Sequence, residues 1–308
     1  MKKFFLLALF SSALFACNKT QDANDPKEAR LVSTTSYDDS NELITTTFLY
    51  DAEGRIIRAS NDLNPELALV KADISYPANE ILITSQSTKF DSRIEVRYTL
   101  DLLGKPTMRI EYRHLSNGDI TTQDENRQNV TDTTFYEYDS DDFLSRTIRL
   151  QYDSNWYRSG IIETTGVRMN DFTADYVNAG KNLTELNIVS TYNARLDNTY
   201  SQGSTENKFV FEYDKNYINN IDFKNELLLT ELGILTPDYP YPLNKNYLNF
   251  PNKVTETIVE KDENGTETYS NDYSSMIDLT FGTDGLVKSI NKDPLNEKPV
   301  TLFYSTKY

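Results

Sequence analysis

The chain has 308 residues, a formal charge of −16 and 38% hydrophobic residues. A surface this acidic repels phosphate backbones, which argues against nucleic acid as a partner. Its 21 tyrosines and 15 phenylalanines argue against wholesale disorder, because disordered chains are poor in aromatics whereas β-sheets are rich in them.

The N-terminus reads as a targeting segment. Lys2 and Lys3 precede a mostly apolar run from Phe4 to Phe15, which suits a signal-peptide core and is too short to span a bilayer as a helix. The run ends Leu14-Phe15-Ala16-Cys17, which resembles a bacterial lipobox, with Phe15 in place of the usual small residue. The expected organisation is a signal peptide over residues 1–16, a lipidated flexible tether over 17–30 and one domain over 31–308. Removal of Lys2 and Lys3 takes the formal charge from −16 to −18. Cys17 is the only cysteine, so lipidation leaves no disulfide within the chain. Acyl chains on Cys17 make the membrane the expected partner, since burial contributes about 0.8 kcal/mol per methylene. No aspartate directly follows Cys17, which points to an outer-membrane lipoprotein on either the periplasmic face or the cell surface.

Beyond the tether the dominant period is two. Asp38-Asp39-Ser40-Asn41 is a turn signal, and Arg93-Ile94-Glu95-Val96-Arg97-Tyr98-Thr99-Leu100 alternates apolar with polar. Thr107-Met108-Arg109-Ile110-Glu111-Tyr112 does the same, and Ser116-Asn117-Gly118-Asp119 reads as the next turn. Leu144, Ile148, Leu150 and Tyr152 share one parity, with Arg146 the exception. Phe209, Phe211 and Tyr213 follow, then the turn Asp262-Glu263-Asn264-Gly265, the strand residues Ile277, Leu279 and Phe281, the turn Thr283-Asp284-Gly285, and Val300, Leu302 and Tyr304. Each segment is expected to bury its apolar side and wet the other. Short connections force antiparallel neighbours. The expected fold is all-β: a large curved antiparallel meander of roughly 14–16 strands, a half-barrel or open barrel-like sheet.

The turns repeat. Tyr50-Asp51-Ala52-Glu53-Gly54 sets a pattern that Leu100-Asp101-Leu102-Leu103-Gly104 repeats. Tyr138-Asp139-Ser140-Asp141-Asp142, Tyr176-Val177-Asn178-Ala179-Gly180, Tyr213-Asp214 and Phe281-Gly282 keep parts of it. Positions 51, 101, 139, 177, 214 and 282 are spaced by 50, 38, 38, 37 and 68 residues, near-constant in the middle. Aspartate bonds nearby backbone amides and glycine accepts positive φ, so turn chemistry accounts for the motif. A calcium reading of Asp139, Asp141 and Asp142 needs more oxygen ligands at defined spacing. The pattern resembles YD-repeat hairpins. With Cys17 and the late Lys245-Asn246-Tyr247-Leu248-Asn249-Phe250-Pro251-Asn252-Lys253-Val254, it is similar to uncharacterised Gram-negative lipoproteins with a porin-like β-fold. The resemblance implies a curved many-stranded sheet and brings no activity or catalytic residues with it.

Residues 224–252 break the meander. Asn225 to Leu235 suits a short helix, followed by alternating Pro and Tyr that no central strand accommodates. Tyr239, Tyr241, Tyr247 and Phe250 either pack under that helix as a plug or form an aromatic platform for a sugar or peptide. Trp156 either caps a sheet edge or stacks on a sugar ring. His114 is the only histidine, which excludes a multi-histidine metal site, and neither a nucleophile elbow nor a nucleotide-binding glycine loop is found. No cofactor or metal is expected, and no catalytic residue. The leading expectation is a lipid-anchored, non-catalytic binding or scaffold module of the cell envelope, recognising a glycan or a protein. The alternatives are a carboxylate-based glycan hydrolase and a transmembrane β-barrel. Replacing Cys17 with alanine is expected to abolish incorporation of labelled fatty acid and to release the protein into the soluble fraction. Retained label would show that the anchor is not there.

Overall fold

The computed structural model describes residues 30–305 apart from 38–42, 62–70, 87–92, 120–123, 160–161, 198, 214–216, 219–248, 284–286 and 292–299. The first strands are short: β1 (Arg30–Tyr37), β2 (Leu43–Tyr50), β3 (Ile56–Asn61), β4 (Lys71–Ser75), β5 (Glu80–Gln86) and β6 (Arg93–Leu100). The next are about twice as long: β7 (Pro106–Asp119), β8 (Asp124–Tyr138), β9 (Leu144–Ser159), β10 (Ile162–Ala179), β11 (Asn182–Leu196) and β12 (Thr199–Glu212). The series ends with β13 (Tyr217–Ile218), β14 (Asn249–Phe250), β15 (Lys253–Lys261), β16 (Glu267–Met276), β17 (Asp278–Phe281), β18 (Val287–Asn291) and β19 (Val300–Ser305). Arg30, assigned to the tether by composition, already belongs to β1.

Seventeen of these strands form one antiparallel sheet, and β13 pairs with β14 alone. From β1 each strand pairs with the next as far as β12, which takes β15 and then β16. On its other side β1 pairs with β19, followed by β18 and β17. The sheet therefore curls until its last strands lie beside its first. Only Ile277 separates β16 from β17 in the chain. The sheet stays open along β16, which has β15 on one side and no strand on the other among the described residues. The expected all-β curved meander is what the chain forms. The helix expected over 225–235 lies outside the described residues.

The tight turns are built by their aspartates. The Asp101 Oδ1 accepts the backbone N–H groups of Leu103 and Lys105, both at 2.8 Å. Asp139 does the same for Asp141 and Phe143 at 2.9 Å, and Asp262 for Asn264 and Thr266 at 2.9 Å. One carboxylate oxygen thus closes the whole loop, and the hydrogen bond from the Lys105 amide holds the Asp101 carboxyl below its ordinary value. Gly104 then takes φ +82°, the left-handed step that returns the chain into the next strand. A register shift follows at Thr99/Leu100, as at Leu49/Tyr50 and Glu137/Tyr138.

The tyrosine before the aspartate has its own role. The rings of Tyr50 and Tyr213 pack against the core, Tyr138 lies under the Lys105 ammonium, and each hydroxyl donates to a carbonyl at the start of an adjacent strand. Tyr50 reaches Leu31 in this way, Tyr138 reaches Pro106 at 3.0 Å and Tyr213 reaches Leu183 at 2.6 Å. The core lies at the end of the Asp51, Asp101 and Asp139 turns, opposite the Asp262 turn, on the inner face, among Leu31, Phe48, Ile56, Tyr98, Phe143, Leu183, Leu186, Phe209, Phe211, Val254, Ile277 and Leu279.

Two expectations are corrected. Residues Ser116 to Asp119 are not a turn: they extend β7 and pair with residues of β8 down to Asp124. Cross-strand pairing continues there because the hairpin reverses beyond Asp119. Leu144 does not share a face with Ile148 and Leu150 either. The register shift after Glu137 sets Leu144 opposite Tyr138 on the buried side, while Arg146 points outward to Asp175 at 3.4 Å.

Gly104 has open space where a Cβ would stand, so only its backbone conformation resists substitution. Gly104→Ala is expected to cost about 1 kcal/mol through the positive φ alone, read as a lowered thermal midpoint. An unchanged midpoint would show that this turn does not need a left-handed residue.

Candidate binding face

The polar character of the inner face begins between β6 and β7. On β6 the apolar residues Val96 and Tyr98 are buried, as alternation predicts. Their cross-strand partners on β7 are Glu111 and Arg109. Partners across a ladder share a face, so the polar parity of β7 is the buried one. The expectation that Met108, Ile110 and Tyr112 are buried is thereby reversed: Tyr112 is exposed on the outer face. The interior of the long strands is a polar surface standing above the core.

Its rows follow directly from register. One runs Glu111, Asp132, Gln151, Asn170, Tyr192 and Gly203 across β7 to β12. The row beside it, nearer the core, runs Arg109, Thr134, Arg149, Phe172, Ser190 and Thr205, and the row on the far side carries Arg113, Val130, Asp153 and Arg168. Glu111 and Asp132 are carboxylates directly opposite each other, an arrangement that repels unless compensated. Three arginines compensate it. Arg109 and Arg113 hold Glu111 at 2.6 and 2.5 Å, while the Arg149 Nε donates to Asp132 at 2.6 Å. The carboxylate side chains are only 5% and 1% exposed, whereas Arg113 and Arg149 each keep 41% of their surface.

Burial pushes the Glu111 carboxyl up, but Arg109 and Arg113 outweigh it and hold the group below its ordinary value. The network continues sideways. The Asn170 Nδ2 donates to Gln151 at 3.0 Å, and the Arg168 Nε donates to the Asn170 Oδ1 at 2.9 Å. The Arg168 guanidinium lies 5.3 Å from the centre of the Tyr192 ring, and Arg149 lies 5.0 Å from that of Phe172. Gly203 leaves room for Tyr192, because a Cβ there would stand 2.8 Å from its hydroxyl. Farther toward β16 stands Glu256, in a row that includes Leu186 and Phe209. Burial alone raises its carboxyl.

The residues singled out from the sequence lie elsewhere. Trp156 is in β9 with Arg127 and Thr165 as partners on either side, so it is mid-sheet rather than at an edge. It shares the outer face with Leu150 and Tyr152, and the Arg127 guanidinium stands 5.2 Å from its ring centre. Phe250 is in β14, paired with Tyr217. Cys17, Tyr239, Tyr241 and Tyr247 lie outside the described residues. Sequence alternation alone places charged strand residues on the wet side and so hides this ion network; its signal in the sequence is that Arg109, Glu111 and Arg113 fall on a single parity of β7.

No protein-family model matches the chain, and no curated protein matches it. Among solved structures it is similar to a porin-like protein from Bacteroides uniformis, at 14% identity with a TM-score of 0.43, over 89% of this chain and 96% of that one.

Arg109→Met removes a partner from a buried carboxylate and is expected to cost about 3–5 kcal/mol, read by denaturant unfolding. Adding Glu111→Leu is expected to restore most of the loss. Because Glu111 titrates below its ordinary 4.5, its contribution is present above that pH and is lost as acid protonates it. Glu111→Gln should therefore flatten the acid limb of the stability curve, and an unchanged limb would contradict the clamp.

Proposed function

We propose that the chain is a lipid-anchored, non-catalytic binding module of the bacterial cell envelope. Cys17 carries the anchor at the outer membrane, and the inner face of the long strands takes a polar ligand, a glycan or a protein segment. The observation that supports this reading is the cross-braced row of Glu111, Asp132, Gln151, Asn170 and Tyr192, with Arg113, Arg149 and Arg168 partly exposed above it. Interlocked side chains lose little entropy on binding, and planar guanidinium and phenol groups suit sugar rings and peptide carbonyls.

Glu256, the raised carboxyl, is what the hydrolase reading has in its favour. A glycan hydrolase needs a second carboxyl about 5–10 Å away. Glu260, the next acid on the same face of β15, lies four residues on, roughly 13 Å along an extended strand. At Glu111 the arginines outweigh burial and hold the carboxyl below its ordinary value, which leaves it poorly suited to donate a proton. A barrel reading draws on the outer face of the long strands, where Tyr112, Leu150, Tyr152 and Met169 are exposed. Against it, Asp171 pairs with Leu150 in the midst of that patch, and the outward parity of β6 is Arg93, Glu95 and Arg97. At 5 to 8 residues, β1 to β6 are also shorter than the roughly 9–11 that a spanning strand needs.

Residues 30–308, made without the signal and the cysteine, are expected to be folded and β-rich without detergent; folding only in detergent would favour the barrel. On a glycan array this soluble domain should bind a polar ligand. Arg168→Ala should weaken that binding at least tenfold and Trp156→Ala should not. The opposite pattern would move the site to the outer face.

A further inference from the structure

We propose that β16 is a strand-addition site for an extended basic segment of a partner protein. The backbone geometry comes first. Ile277 donates its N–H to the Asn252 carbonyl at 2.9 Å, which makes that pair a hydrogen-bonded one. In an antiparallel ladder such pairs alternate with pairs that turn their amides away. Register then assigns Ser275, Tyr273, Asn271 and Tyr269 to β15, and leaves the amides of Met276, Ser274, Asp272 and Ser270 facing the open side. The Asp272 N–H confirms the assignment: it donates to the Asn271 side-chain Oδ1 at 3.0 Å, in place of a neighbouring strand.

This edge is long and lightly protected. It runs for ten residues, Glu267–Met276, without proline or lysine, and the register shift in its ladder falls only at its start, where Lys261 pairs with Glu267. Natural edges of that length are usually blunted by such devices. What caps it is a side-chain relay. The Asn271 Nδ2 donates to the Tyr269 hydroxyl at 3.1 Å, and the Tyr269 and Tyr273 hydroxyls are 2.8 Å apart. An incoming strand replaces the Asn271 cap with a backbone carbonyl and loses nothing structural by doing so.

Charge selects the occupant. From Asp262 to Met276 the chain carries Asp262, Glu263, Glu267 and Asp272 and no basic residue; on the adjoining strand Glu256 and Glu260 stand with Lys253 and Lys261, which are engaged by Glu212 and Glu206 of β12. A second copy presents the same acidic edge to this one within a chain of charge −16, so self-pairing is opposed. Lysines alternating with β-branched residues complement it: the lysines answer the acids while the backbone completes the ladder.

The test uses the full chain, in detergent micelles where the anchor requires them, and labelled peptides of about ten residues alternating lysine with valine and threonine. An acidic counterpart of the same pattern and a version N-methylated at alternate amides serve as controls. The basic peptide is expected to bind, with protection of the Ser270, Asp272 and Ser274 amides from hydrogen exchange. Ser274→Pro, which removes an open-side amide and no bond to β15, should weaken it at least tenfold, as should Asp272→Lys. Unchanged circular dichroism of both variants shows that the fold persists. Equal binding of the acidic or N-methylated peptide would overturn the proposal, as would protection confined to other strands. A dimer abolished by Ser274→Pro would assign the edge to a second copy instead.

Discussion

Glu111 and Asp132 stand side by side on adjacent strands, almost wholly out of water, with Arg109, Arg113 and Arg149 around them. The rest of the long-stranded wall depends on that arrangement. A carboxylate pair without its arginines would have to protonate or turn the strands over, and a strand turned over exposes Val130 and Phe172 as well. The network therefore fixes which parity of β7 to β10 faces inward. From there register carries the choice across to Tyr192 and Gly203. Polar specificity here is a matter of orientation more than of net stabilisation, since buried ion pairs often do little better than break even against apolar replacements.

The hairpin plan was legible in the sequence because its causes are local. Asp101, Asp139 and Asp262 close their loops with their own carboxylates, and Gly104 supplies the left-handed step, so nothing distant is required. The turn at Asp262, outside the spaced series, uses the same bonds as the others. Sidedness was legible only where the core decided it, as at Val96, Phe209 and Leu279. At β7 the alternation holds but its buried side is the polar one, and at β9 a register shift also moves Leu144 off the face of Ile148 and Leu150. Period two separates two faces without saying which one meets the interior. That choice was made by partners more than fifteen residues away, in pairs such as Arg149 with Asp132. Trp156 drew attention for its chemistry alone, and chemistry without register could not assign it to the outer face.

The two ends of the sheet divide the labour. At the core end, tyrosine rings and aliphatic side chains fill the interior, and hydroxyls latch one strand to the start of another. At the far end the same strands continue upward with polar interiors. A rigid base thus carries a wall that projects beyond it, and along β16 that wall has no neighbouring strand on one side among the described residues.

Four of the described hairpins carry their own lock, an aspartate that closes the loop at Asp51, Asp101, Asp139 and Asp262, and Tyr50 and Tyr138 tie theirs to the strand behind. Pairing is between strands adjacent in the chain nearly throughout. A pair of strands can therefore be gained or lost by duplication or deletion of one genetic segment, widening or narrowing the curl while the remaining registers stay as they are. Circumference and wall height are thereby set separately, the first by the number of hairpins and the second by the length of their strands.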